Sequence, residues 1–100
     1  MPMDWEFELQ GIMFVGDADK ARINLASHGV SFEQAAEAFF DPFFRLVDAS
    51  QDEEAREALL GTDRTARVLY VVHIEVEEDR IRLISARGAT REERKLYEDG

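Results

Sequence analysis

The chain has 100 residues, which suits one domain with one modest core. Its 22 Asp+Glu against 12 Lys+Arg give a formal charge of −10, which opposes non-specific affinity for nucleic acid. There is no Cys, so disulfides and thiolate metal sites are excluded, and the uncharged runs are too short to span a membrane.

The acidic opening MPMDWEFELQ does not read as a signal peptide. Within it, residues 3–9 alternate, with Trp5, Phe7 and Leu9 on one side and Asp4, Glu6 and Glu8 on the other, which predicts a strand. Gly11 breaks it, and Ile12–Val15 is a second short strand ended by Gly16. Asp17 is a good N-cap for a helix over 18–28, with Ala21, Leu25 and His28 near one stripe and Gly29 at the C′ position. Ser31 and Gln34 form a capping box for a second helix, whose apolar face is Phe32, Ala35, Ala36, Phe39 and Phe40. Asp41-Pro42 stops it, because Pro disfavours helix in the residue before it. Residues 43–47 are the next strand. Asp48–Glu57 reads as an acidic loop leading into a short helical piece, and Gly61-Thr-Asp as a turn.

RVLYVVHIEV, 67–76, is the strongest predicted strand, and 80–87 is its hairpin partner. A two-residue turn pairs Glu77 with Arg80, Glu75 with Arg82, Ile74 with Leu83, Val72 with Ser85 and Tyr70 with Arg87. Apolar then meets apolar on one face, and opposite charges meet on the other. A three-residue turn sets Arg80 against Val76 and Arg82 against Ile74. The first register is preferred, although Glu-Asp is an unfavoured tight-turn pair. Thr90 and Glu93 form a second capping box, opening a C-terminal helix of about two turns. The class is therefore α+β: a small antiparallel sheet, two N-terminal helices and a short C-terminal helix.

Basic residues are unevenly placed. Residues 1–60 hold 4 Lys+Arg against 13 Asp+Glu, and 61–100 hold 8 against 9. Six basic side chains fall within RIRLISARGATREERKLY, 80–97. They either answer the protein's own carboxylates or present a local site to an anion. Arg80 and Arg82 fit a charge ladder with Glu77 and Glu75. Arg87, at the far end of its strand, either anchors a carboxylate of the last helix or offers its planar fork to a phosphate. His73 is mid-strand, and His28 sits near the negative end of the first helix. Neither His has metal-ligand spacing, and no cofactor is expected. Phe39, Phe40, Phe43 and Phe44 form core or part of a partner surface.

The stretch FVGDADKARINLASHGVSFEQA, 14–35, resembles the opening of the BrnT family of bacterial toxins. Asp17, Lys20, Asn24, His28, Gly29, Val30, Phe32 and Ala35 fall in place, followed by Asp41-Pro42. Glu54-Ala-Arg56 resembles the family's E-x-R segment. Arg67–His73, Ile81–Arg87, Ala89-Thr90, Glu93-Arg94 and Tyr97 resemble its C-terminal half. The resemblance spans 12–97 of a single domain over 1–100, with 1–11 an extension outside it. Gly16 stands where the family usually has Trp, Ser27 where Lys is common, and Glu57 where an aromatic often follows.

The resemblance implies a RelE-like fold, a cytoplasmic metal-independent endoribonuclease, and a BrnA-like ribbon-helix-helix antitoxin. RNA is then the substrate, and DNA is met only through the antitoxin. In such a reaction the 2′-OH attacks the adjacent phosphate. A base, an acid and cations must serve it. The expected catalytic set is Glu54 or His73 as base, Arg56 and Arg87 as phosphate stabilisers, and Tyr97 as acid or stacking group. Lys20, Arg67 and Arg91 are expected substrate contacts. Two other readings stand: a toxin-like module acting through antitoxin binding and promoter control, and an unrelated acidic α+β adaptor.

Overall fold

The computed structural model describes residues 4–49, 56–76 and 79–99. The elements are β1 (Asp4–Leu9), β2 (Ile12–Asp17), α1 (Ala18–His28), α2 (Phe32–Ala38), β3 (Arg45–Asp48), β4 (Glu57–Thr62), β5 (Val68–Val76), β6 (Arg80–Gly88) and α3 (Arg91–Glu98). One six-stranded sheet has the order β1-β2-β6-β5-β4-β3. The α+β class holds. The sheet is larger than expected and mixed rather than wholly antiparallel, because β2 runs parallel to β6.

Local chemistry fixes the helix boundaries. Asp17 accepts from the amides of Asp19 and Lys20, and Gly29 ends α1 in the left-handed region at φ 66°. Capping boxes open α2 at Ser31 and α3 at Thr90. Gln10 and Gly11, both at positive φ, join β1 to β2 in a two-residue turn.

The core lies between the sheet and the α1/α2 layer. Phe14, Val30, Phe32, Ala35, Ala36, Leu59, Leu69, Val71, Leu83 and Ala86 are buried there, with Trp5, Phe7 and Phe39 packed around them. The expected short helical piece does not follow the acidic loop. Residues 57–62 form β4 instead, an interior strand whose Ala58, Leu59, Leu60 and Gly61 are all buried. A strand covered on both faces shows no alternation, so its period is silent in sequence.

Asn24 is the buried residue of α1, while Ile23 and Leu25 on either side are exposed. The expected stripe through Leu25 and His28 is therefore not the inward face. Asn24 Oδ1 accepts from the Ala86 amide at 3.0 Å, and its Nδ2 donates to the carbonyls of Ala86 at 2.7 Å and Val30 at 2.9 Å. β2 pairs with β6 only at Arg80–Arg82. Farther along, the Asn24 amide takes the place of a neighbouring strand.

Candidate functional site

The β5–β6 ladder changes register between Val72 and His73. Tyr70 faces Arg87 and Val72 faces Ser85, as the two-residue turn requires. Nearer the tip, Ile74 faces Arg82 and Val76 faces Arg80, the register of the three-residue turn. Ile84 is the extra residue of a β-bulge. Asp79, at φ 61°, supplies the left-handed residue that three-residue hairpins use.

The bulge has a consequence for charge. Arg80 and Arg82 fall on the same face of β6 as Arg87, together with Tyr70, Val72, Ile74 and Val76. The expected ladder with Glu75 and Glu77 is overturned at Glu75, which faces Ile81 on the other side of the sheet. Glu77 lies outside the described residues. Arg80 and Arg82 are exposed, and no ion pair engages them among the described residues. They run along the Tyr70 face, opposite the α1/α2 layer.

Arg87 behaves differently. Its two terminal nitrogens donate to the two Glu93 oxygens at 2.8 and 2.9 Å, and its guanidinium lies 4.2 Å from the Tyr70 ring centroid. The Glu93 carboxylate raises the Arg87 pKa, and Arg87 in turn holds Glu93 below its ordinary value. Arg87 thus anchors α3 to the sheet, one of the two outcomes left open for it. Tyr97 forms the second anchor. Its hydroxyl donates a short hydrogen bond to Asp41 Oδ2, which also accepts from the Thr62 amide and hydroxyl. Asp41 Oδ1 accepts from the Phe43 amide. Burial works to raise the Asp41 pKa, but these hydrogen bonds outweigh it and the carboxyl lies below its usual value. Burial and the bond to Asp41 push the Tyr97 hydroxyl up.

His73 is on the α1/α2 face, 3% exposed, with its ring edge-on to Phe39 at 4.8 Å. Its Nδ1 lies 3.2 Å from the Val71 carbonyl and its Nε2 3.7 Å from Glu57, the residue opposite it on β4. Burial lowers its pKa more than the Val71 carbonyl, Glu57 and Glu75 raise it, so the ring is neutral at pH 7. A proton on Nδ1 satisfies the carbonyl and leaves an Nε2 lone pair.

His73 and Arg56 share an open hollow of about 490 Å³, lined also by Leu46, Val47, Asp48, Glu57, Ile74 and Glu75. Of the lining residues, Ile74 is directly opposite Arg82, but Glu57, His73 and Glu75 belong to the α1/α2 face, so the hollow and the arginine row lie on opposite faces of the sheet. The structure therefore brings Arg56 to His73 and leaves Arg87 and Tyr97 at the other end, around α3. Glu54 lies outside the described residues. Lys20 is exposed on α1. Arg67 lies across Gly88, where an added Cβ would meet its Nη2 at 2.7 Å. Arg91 is exposed in the first turn of α3. Among the described residues, no group of three or more His, Cys, Asp or Glu is placed to hold a metal ion.

The profile of a family described as ribonuclease toxin, BrnT, of type II toxin–antitoxin system matches residues 17–93. The chain belongs to the BrnT family. Compared with curated proteins, the sequence matches none. A type II toxin is paired with a protein antitoxin, so the family supplies a partner class. Most positions that carry the BrnT pattern here build the scaffold: Asp17 and Gly29 cap α1, Asn24 holds β6, Phe32 fills the core, and Asp41 with Tyr97 fixes α3. Arg80 and Arg82 lay outside the expected site, and the bulge that turns them toward the Tyr70 face left no mark in the sequence. Among the described residues, no helix is long and apolar enough to cross a membrane.

Proposed function

We propose that this chain is an endoribonuclease toxin that binds RNA along β6 on the Tyr70 face. The observation that carries the reading is the bulge-made row of Arg80, Arg82 and Arg87 on one face of the sheet, with Arg56 and His73 sharing a hollow lined mainly from the other face. The reaction needs no metal. The ribose 2′-OH attacks the adjacent phosphate and its proton passes to a base. The bond to the 5′-oxygen breaks and that oxygen is protonated, leaving a 2′,3′-cyclic phosphate and a 5′-hydroxyl. Arg56, in the hollow of His73, stabilises the charged phosphorane, and Arg80 and Arg82 hold the flanking RNA backbone. Neutral His73, through Nε2, or Glu54 takes the proton. Arg87 and Tyr97 keep their place in the proposal by fixing α3 at the margin of the RNA track. Arg91 on α3, Arg67 and Lys20 are outlying electrostatic contacts. The antitoxin is a BrnA-like ribbon-helix-helix protein, through which DNA is engaged.

A second reading is favoured by one observation. The Arg87 fork is closed on Glu93 and the Tyr97 hydroxyl on Asp41, which fits a catalytically weak module acting through its antitoxin. Expression of the chain alone in a bacterium separates the two. The enzyme reading expects growth arrest and RNA fragments with cyclic phosphate ends, unaffected by chelators in vitro. It expects Arg80→Ala/Arg82→Ala and His73→Gln each to cut cleavage by about tenfold to a hundredfold, the range for lost electrostatic or acid–base contributions. Normal growth with folded protein supports the module, and full cleavage by both variants sinks the site.

A further inference from the structure

Three aromatic residues meet at one hollow beside the end of α3. The hollow is open, about 620 Å³ in volume, and is lined by Phe43, Phe44, Arg45, Tyr97 and Glu98. Phe43 is 74% exposed and Phe44 44%, and neither ring belongs to the core. What sets them apart is how they are held. The carboxylate of buried Asp41 accepts from the Tyr97 hydroxyl through Oδ2 and from the Phe43 amide through Oδ1. The Asp41 carbonyl accepts from the Phe44 amide at 3.1 Å. One buried residue thus places all three aromatics, and Pro42 restricts the backbone between them. The rings are presented by a hydrogen-bonded turn rather than by a loose loop.

Position and charge point to the occupant. Arg45 forms one cross-sheet row with Leu60, Tyr70 and Arg87, so the hollow belongs to the same face as the arginine row. Two residues farther along β3, Val47 lines the hollow of Arg56 and His73. At about 3.3 Å per residue, that step is about 7 Å. The lining holds one cation and one anion, Arg45 and Glu98, so an uncharged ring fits it better than a phosphate or a charged side chain. Exposed rings beside a guanidinium are the arrangement on which bases of single strands stack, because every base has a π-face.

We propose that this hollow is a nucleobase subsite, in which one base of a single-stranded RNA stacks on Phe43 with Phe44 and Tyr97 as walls and Arg45 beside it. The subsite rests on the endoribonuclease reading, whose reaction hollow it adjoins. The stacked base then belongs to a nucleotide next to the reacting phosphate. Stacking tolerates any base, so the subsite fixes the register of the RNA rather than its sequence.

The probes are a short fluorescent oligoadenylate and the same oligomer built with abasic sugars, each titrated with the intact chain by fluorescence anisotropy. Phe43→Ala should weaken oligoadenylate binding by about tenfold, within the range for one stacked base, and leave abasic binding unchanged. Phe43→Trp should restore the parent affinity. No phosphate contact is lost, so the salt dependence should keep its slope. Position 43 is exposed, and circular dichroism of both variants should match the parent. Equal weakening of the two oligomers would overturn the subsite. So would an oligoadenylate affinity indifferent to Phe43→Ala while Arg80→Ala/Arg82→Ala still flattens the salt slope, a result that leaves the RNA track standing. Failure of the parent chain to bind either oligomer would overturn the subsite and the RNA reading together.

Discussion

The polar residues buried in this protein each have a defined task. Asn24 supplies three hydrogen bonds at a strand edge that no strand covers. Its replacement by Ala strands the Ala86 amide and carbonyl out of water. A buried unsatisfied group costs roughly 1–3 kcal/mol, so Asn24→Ala should lower stability by about 3 kcal/mol in denaturant unfolding. An unchanged midpoint would mean the two groups find other partners. His73 makes a different prediction. Its folded pKa lies below the ordinary 6.5, so the unfolded chain binds the proton first as pH falls. Stability from keeping the ring neutral is complete above 6.5 and declines as pH drops through the folded value. The depressed carboxyls of Asp41 and Glu93 add their own loss only at lower pH, below their ordinary 3.8 and 4.5. Urea unfolding between pH 7 and 5 should therefore show a slope that His73→Phe removes. The role of Asn24 was not legible in sequence, because its partner is 62 positions away. A stripe of apolar side chains pointed to the wrong face of α1 for the same reason.

Elements were legible where their chemistry is local. Asp17, Gly29, Ser31 and Thr90 announce the helix ends, since a cap is a contact within a few residues. β4 was hidden by burial on both faces, and the β6 bulge by the fact that a ladder's irregularity depends on its partner strand. β1 shows a further dependence between elements. Trp5 of β1 is directly opposite Gly16 of β2. The Trp5 ring packs edge-on against Phe32 at 5.5 Å, and its Nε1 donates to Glu33 at 3.3 Å. Any Cβ at Gly16 would approach the Phe32 ring to 3.1 Å. The strand outside the family match thus brings an indole to the place a glycine left open. Trp5→Ala should destabilise by about 2 kcal/mol, less than the 3–5 typical of a fully buried aromatic because Trp5 is only half-buried. Glu6→Ala, on the other face of the same strand, should stay within about 0.5 kcal/mol. Equal effects from the two would show that β1 acts through the ladder alone.

Across the whole molecule, charge decides what the Tyr70 face can do. The face is not uniformly basic. Asp4, Glu6 and Glu8 line its β1 edge, Met13 and Val15 separate them from β6, and the arginines follow. An RNA strand bound on β6, as proposed, would be repelled from β1 and so confined to a track rather than a patch. With a net charge of −10, long-range steering opposes binding, so affinity must come from short-range phosphate contacts. For single strands each neutralised phosphate contributes about 0.7 to the slope of log affinity against log salt. Arg80 and Arg82, with no ion pair among the described residues, should account for about 1.4 of that slope. Arg87 is closed on Glu93 and should contribute little. Binding of a short single-stranded RNA, measured by fluorescence anisotropy from 25 to 200 mM salt, tests this directly. Arg80→Ala/Arg82→Ala should flatten the slope, whereas Arg87→Met should weaken binding only as far as α3 shifts and leave the slope near the parent value. The reverse pattern would mean that the Arg87 fork opens to the phosphate, and that the pair with Glu93 is a resting state rather than an anchor.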